Sequence, residues 1–367
     1  MTITPGETRL LEPARLGDLR LPNRLVMAPM TRNRAEADGT PGPLVATYYA
    51  QRASAGLIIA EASTPNAVGQ TYPNITAIHT DAHVAGWRAV TEAVAEAGGR
   101  MFLQLQHGGR VGHPDNSGHT PVAPSPVPLP EPIHTPTGIR PAVTPREMTV
   151  AEIRSTSADF AEAARKAVDA GFAGVEVHAA NGHLLHQFLA GNTNRRTDAY
   201  GGPVAHRIRF VLETVEAVTR AIGAHRVGIR LAPGSIFNGI DEGDETADLY
   251  RALVAALPRD LAYVHVVFAD PDDQVFRHIR EDWSGTLIAN PILGWGVPLP
   301  ADGGAAKGER LLAAGADLIA LGRAFIANPD LVVRLRRGAP LNPLHDHGPM
   351  YVGGASGYTD YPTLGDA

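Results

Sequence analysis

The chain has 367 residues, a formal charge of −6 and no cysteine. That charge speaks against non-specific attraction to nucleic acid or an anionic membrane, and the missing cysteines exclude disulfides, thiolate metal sites and a cysteine nucleophile. With 44% hydrophobic and 19% charged residues the composition is that of a soluble globular protein, and the length suits one α/β barrel carrying insertions.

In chain order, the opening MTITPGETRL has neither a basic nor an apolar leader pattern. No apolar run approaches the roughly 20 residues that span a bilayer, so a cytoplasmic location without a membrane partner is expected. Short apolar runs then alternate with helical pattern. They are LVMAPM (25–30), GLIIAE (56–61), MFLQLQ (101–106), GVEVHA (174–179), VGIRLA (227–232), AYVHVVF (262–268), TLIAN (286–290) and DLIALG (317–322). Runs of this length, rich in Val, Ile and Leu, suit parallel strands buried on both faces. In the helical stretch 149–172, Ile153, Ser157, Phe160, Ala164, Ala167 and Val168 mark one face, and Gly171 supplies the stop. Eight such units point to an α/β fold of the (β/α)8 TIM-barrel type, one domain over residues 1–367. Two Pro-rich segments, 121–145 and 290–304, are expected to form neither helix nor strand. Both follow strand ends, which places them over the C-terminal face where barrels keep their chemistry. The first belongs to a cap of about 107–148 and the second is an inserted loop.

The strand ends collect Pro29, Met30, Thr31, Ala60, Glu61, Gln104, His107, His178, Asn181, Arg230, Asn290, Gly322 and Arg323. This set has no paired carboxylates. His178, His183 and His186 suggest a metal, but no carboxylate stands beside them in the sequence, so none is expected. No nucleophile elbow is present. The set suits a flat, polar cofactor with a phosphate: Gln104 can donate and accept, Arg230 can sit against an electron-rich ring edge, and the LGR turn at Gly322 and Arg323 can offer N–H groups. A dinucleotide fold is not supported, because GWGVPL has Leu299 where the third glycine would stand.

The blocks RLPNRLVMAPMTR, QLQHGGR, VEVHAANG, NRRTDAYGG, VGIRLAP, ADLIALGRAFIANPDL and GGASGYTDYP follow one another along the chain. In these blocks and their order the chain resembles the Old Yellow Enzyme family of flavin-dependent ene-reductases, from about Leu16 to Pro362. The resemblance implies FMN held non-covalently at the barrel mouth by Pro29, Met30, Thr31, Ala60, Gln104, Arg230 and Asn290, with Gly322 and Arg323 at its phosphate. Thr31 stands where another branch of the family has cysteine, and Gln106 departs from the Trp or Ala of the family. The resemblance also implies a ping-pong reaction in which NADPH or NADH reduces FMN and is replaced by a small alkene conjugated to a carbonyl or nitro group. His178 and Asn181 would bind the activating oxygen and stabilise the developing enolate. Tyr72, Phe237 and Tyr351 would line the substrate cavity, in a monomer or homodimer.

Two departures from the family pattern bear on function. The residue two beyond Asn181 is usually a tyrosine that protonates the α-carbon; here it is His183. An unperturbed histidine, near 6.5, is divided between charge states where a tyrosine, near 10, stays protonated. Either His183 donates, or water or another tyrosine does, or the reaction has become an isomerisation or dehydrogenation, or His183 simply points away. The second departure is Pro291 and the insertion after Asn290, where the family tends to have a glycine-rich turn by the flavin phosphate. Trp295 in that insertion either reaches over the mouth or packs the loop down. Two readings of other classes are a phosphosugar lyase or epimerase, which would need a lysine or paired acids at the strand ends, and a flavin-binding protein without turnover.

Overall fold

The computed structural model describes residues 8–293, 297–344 and 350–365, so Trp295 lies outside the described residues. Eight parallel strands close into a barrel. They are β1 (Leu25–Met27), β2 (Leu57–Ser63), β3 (Met101–Leu105), β4 (Gly174–Ala179), β5 (Val227–Leu231), β6 (Tyr263–Ala269), β7 (Leu287–Pro291) and β8 (Leu318–Leu321). All eight expected runs are strands, with ends moved by three residues at most. Each strand leads to a helix: α1 (Pro43–Ala50), α2 (Asp81–Glu96), α3 (Val150–Asp169), α4 (Arg209–Ile222), α5 (Thr246–Ala256), α6 (Gln274–Asp282), α7 (Ala305–Ala313) and α8 (Leu331–Arg337).

Local sequence explains these elements. On α3, Thr149 accepts from the Glu152 N–H while the Glu152 carboxylate accepts from the Thr149 N–H, which satisfies two donors at the helix start. Its buried stripe includes Ile153, Ser157, Phe160, Ala164 and Ala167, as the periodicity predicts, and Gly171 turns out of the helix at φ +95°. Emptying such a site, as Phe160→Ala would, costs about 3–5 kcal/mol.

Alternation along the strands sorts side chains into two cores. One set, including Ile58, Leu103, Val175, Ile229, Val264 and Ile319, packs outward against the helices. The other, including Val26, Ile59, Phe102, Tyr263, Ile288 and Leu318, fills the barrel's lower half, with Leu16 and Leu21 joining it from the antiparallel N-terminal hairpin Ala14–Leu16 and Leu19–Leu21. Gly228 makes room for this filling, because a Cβ there would sit 2.2 Å from the Tyr263 ring. The upper half of the interior is polar. A cavity of about 520 Å³ lies at the opposite end of the barrel between Arg15, Arg20, Arg24, Thr286 and Asp317, and holds none of the predicted site residues.

The Pro-rich segment 121–145 departs from expectation. It contains a hairpin, Ile133–Thr135 against Gly138–Arg140, and Val122–Ala123 pairs with Arg146–Glu147. Pro136 sits in the hairpin's turn, and these two-stranded pieces have free edges, so prolines remove no ladder bond that matters. In the other segment, Asn290 and Pro291 still belong to β7.

Candidate active site

The polar half of the interior is built from neighbours in register. Gln104 on β3 pairs with Glu176 on β4, His178 on β4 with Arg230 on β5, and Arg230 with His265 on β6. All five side chains are buried. Gln104 Nε2 donates to Glu176 Oε1 at 2.8 Å and lies 3.3 Å from His178 Nδ1, while His265 Nδ1 is 2.8 Å from Glu176 Oε2. Arg230 Nη2 donates to Asn290 Oδ1 at 2.9 Å, and Nη1 reaches toward the Pro29 carbonyl at 3.5 Å. Asn290 Nδ2 donates to the Ala320 carbonyl at 2.9 Å, so both ends of this amide are engaged within the barrel.

Beyond β4 the chain turns at Asn181, which adopts the left-handed conformation at φ +54° that asparagine tolerates better than most residues. Asn238 Nδ2 donates to the Asn181 carbonyl at 2.7 Å and braces the turn. The Asn181 side-chain amide has no partner among the described residues, and its Oδ1 is buried. His178 Nε2 is likewise uncommitted among them. Two side-chain nitrogens, one near the end of β4 and one on the turn that follows, are therefore uncommitted and open to a ligand.

His183 stands just before the short helix Leu184–Leu189, with its ring centre 5.0 Å from that of His178 and the planes inclined by 44°. Its Nδ1 is buried without a partner among the described residues. Burial, with His186 and Arg230 nearby, pulls its pKa down to about 4, so the ordinary value of the sequence reading does not apply. Burial also holds His178 well below the usual range and takes His107 to about 3. His186 corrects a second expectation, for a carboxylate does stand beside it: Nε2 lies 2.7 Å from Glu242 Oε1, and Nδ1 accepts from the Gly182 N–H at 3.0 Å. With both nitrogens engaged, His186 braces the loop and is not open to a metal ion.

The remaining predicted residues fall around this centre. Met30 lies against Gly322, where a Cβ would meet its Sδ at 3.0 Å, so the ends of β1 and β8 approach closely. Thr31 is half-buried, and the Ala60 methyl belongs to the helix-facing core, which leaves only its backbone for the barrel mouth. Glu61 accepts from the Arg32 N–H at 3.1 Å, and burial raises its pKa to about 7. Arg323 donates to the carbonyls of Val297 at 2.6 Å and Leu293 at 3.0 Å, tying it to the inserted loop. Tyr72, its hydroxyl pushed up to about 12 by burial, packs with Val111, Leu129 and Ile133 of the cap. Tyr351 packs against the cluster of Ile326, Ala327, Met350 and Tyr361, as does Met30. Phe237 stacks on Phe268, ring centres 5.2 Å apart and planes inclined by 4°.

Sequence reasoning missed Glu176, His265, Glu242 and Phe268. Glu176 could have been found, because it stands two residues before His178 on one strand and so shares its face. Phe268 carries no such signal. It is a bulky residue at φ +58°, at an irregularity in the β6 register.

Orphaned polar atoms at this end of the barrel suit FMN. Arg230 Nε is buried without a partner, Gln104 Oε1 has none among the described residues, and Gly322 presents no side chain at the turn after β8. A cation, an acceptor and an open turn suit a ring edge, an imide N–H and a phosphate.

Comparison with known proteins agrees with this arrangement. Residues 9–342 match the NADH:flavin oxidoreductase / NADH oxidase family. The chain is 38% identical to a probable flavin mononucleotide-dependent alkene reductase of Leishmania infantum, over 97% of each chain. Its structure resembles that of morphinone reductase in complex with tetrahydroNAD (TM-score 0.89, 44% identity, 98% of each chain). It also resembles an Old Yellow Enzyme homologue of Zymomonas mobilis (TM-score 0.90, 37% identity, 97% of this chain and 99% of the other). This chain is an oxidoreductase of the NADH:flavin oxidoreductase family, to which the Old Yellow Enzyme homologues belong.

Proposed function

We propose that this protein reduces activated C=C bonds, in α,β-unsaturated carbonyl or nitro compounds, with NADPH or NADH as reductant and non-covalent FMN as carrier. The observation that supports it most is the pair of uncommitted nitrogens, His178 Nε2 near the end of β4 and Asn181 Nδ2 on the turn that follows it. Names of relatives, an alkene reductase and morphinone reductase, point the same way.

Arg230 and Gln104 would hold the isoalloxazine edge, Pro29, Met30, Thr31 and the Ala60 backbone would surround it, and Gly322 would face its phosphate. Asn290 would keep Arg230 in place, and Arg323 would pin the insertion across that end of the site. When bound, FMN supplies hydride transfer between nicotinamide and alkene. His178 and Asn181 would bind the carbonyl or nitro oxygen and stabilise the charge that develops there. Tyr72, Phe237 and Tyr351 would shape the space around the alkene.

The α-carbon proton would come from water. With a pKa of about 4, His183 is neutral at working pH. Its imidazolium fraction at pH 7 is roughly one part in a thousand, and a neutral imidazole is a poor acid.

The test is anaerobic. The purified yellow protein is bleached with NADPH or NADH, and a simple cyclic enone is added while the flavin absorption and the ketone product are followed. Return of colour with one equivalent of saturated ketone is expected. Bleaching that only oxygen reverses would reject the reductase reading and leave the flavin site standing.

A further inference from the structure

Glu176 and His265 have no task in the reaction above, yet both are sealed inside the barrel below His178, each with 0% exposure. A carboxylate without solvent must have its charge answered, and here three groups do so. Burial alone would raise its pKa; the His265 imidazole, the Arg230 guanidinium and the Gln104 amide together hold it below the usual range.

An ionised carboxylate only accepts hydrogen bonds. His265 Nδ1, at 2.8 Å, must therefore carry its proton, and Gln104 must turn Nε2 rather than Oε1 to Glu176. Nε2 has two hydrogens. With one on Glu176, the other faces His178 Nδ1 at 3.3 Å, which can only receive it as a lone pair. A neutral histidine that accepts at Nδ1 carries its proton on Nε2.

We infer that Glu176 is a positioning residue which, through the Gln104 amide, fixes His178 in the tautomer whose Nε2–H donates to the substrate oxygen. This rests on the reading that His178 binds that oxygen. Without Glu176 no other side chain among the described residues distinguishes the two ends of the Gln104 amide, and only the flavin imide favours the present one. A flipped amide sets Oε1 against His178 Nδ1, draws the proton there, and leaves a lone pair at Nε2 facing the substrate's own lone pairs. The same orientation keeps Gln104 Oε1 free to accept from the flavin imide, so one buried charge orders donors and acceptors on both sides of the reaction.

The test reads the tautomer directly, by ring 15N resonances of His178 in the histidine-labelled FMN-bound protein, assigned with His178→Gln. In the unmodified protein Nε2 is expected to be protonated and Nδ1 not. Glu176→Gln can still accept from Gln104 through its own amide oxygen and should keep this tautomer, with kcat within several-fold. Glu176→Met removes the acceptor. It should shift His178 wholly or partly to Nδ1–H and lower kcat for enone reduction roughly 100-fold, the scale for losing one oxyanion donor. A merely structural role would move stability without moving the tautomer. The inference is overturned if His178 carries its proton on Nδ1 in the unmodified protein, which needs no variant to fold. It is equally overturned if Glu176→Met leaves Nε2 protonated. If the tautomer follows Glu176 but no enone is reduced, the positioning role stands and the reductase reading falls.

Discussion

The imidazole of His183 stands with its centre 5.0 Å from that of His178, both rings buried, and with a pKa pulled down to about 4. At this spacing His183 adds to the burial that disfavours charge on His178, and Arg230 disfavours charge on both rings. Neither is an imidazolium at neutral pH.

Enone reduction should therefore be flat between about pH 6 and 8. Were the His183 imidazolium the donor, the rate would fall nearly tenfold per pH unit over that range, since its population does. His183→Tyr, which restores an acid that stays protonated to about pH 10, should raise the rate of product formation at least about tenfold, within the range for general acids. The pH–rate profile of both proteins, read as ketone formed, checks this; a falling profile in the unmodified protein returns the proton to His183.

The same depressed pKa links folding to pH. A histidine near 6.5 when unfolded and about 4 when folded binds more protons unfolded, so stability rises with pH through that window. The contribution is complete above about pH 6.5 and is lost as pH falls toward 4. For His183 alone the loss between pH 7 and pH 5 comes to about 2 kcal/mol. Urea unfolding of the unmodified protein and of His183→Tyr at both values should show the variant losing less on acidification by about that amount. An equal loss would mean that His183 titrates normally.

Asn181→Gly separates chemistry from backbone strain. Glycine adopts φ +54° freely, whereas alanine would add about 1 kcal/mol or more of left-handed strain. Because the amide has no partner among the described residues, its loss breaks no fold contact. The melting temperature should hold within a few degrees while kcat for enones falls about 100-fold or more. An unchanged kcat would remove Asn181 from the oxygen site.

How much of this was legible beforehand follows from periodicity. The eight runs were visible because doubly buried parallel strands cannot hide their apolar character. Strand-end residues such as Gln104, His178 and Arg230 could be collected because polar groups stand out there. What the sequence does not show is register. Glu176 and Gln104 lie 72 positions apart, and only β3 beside β4 makes them partners. The low pKa of His183 was likewise invisible, since it comes from burial by segments distant in the chain. The hairpin at 133–140 was missed because proline content was read as a veto, which holds for central strands and not for free edges.

Asn290→Leu tests whether that amide serves Arg230. Its Oδ1 accepts from Nη2 at 2.9 Å, a charge-assisted bond worth about 1.5–3 kcal/mol. Without it Arg230 loses its orientation and FMN should bind more weakly, by roughly 10-fold or more in Kd, measured by flavin fluorescence on titrating the apoprotein. Stability of the apoprotein should fall as well, since the Ala320 carbonyl and Arg230 each lose a partner. An unchanged Kd would show that Arg230 is held by something else or does not touch the cofactor.

Phe268 combines two opposing effects. Its left-handed backbone at φ +58° costs of order 1–3 kcal/mol, while its stack on Phe237 returns about 0.5–1.5 kcal/mol beyond area burial. Phe268→Gly relieves the first and forfeits the second together with packing on Ala180 and Ala232, so the melting temperature should change little. Ala180 immediately precedes Asn181, and Asn238, next to Phe237, braces the Asn181 carbonyl, so the aromatic pair adjoins the Asn181 turn. KM should then rise several-fold for bulky or aromatic enones and stay constant for the smaller cyclohexenone. A parallel change for both substrates would mean that Phe268 acts on the loop rather than on the ligand, and its strain would then need another explanation.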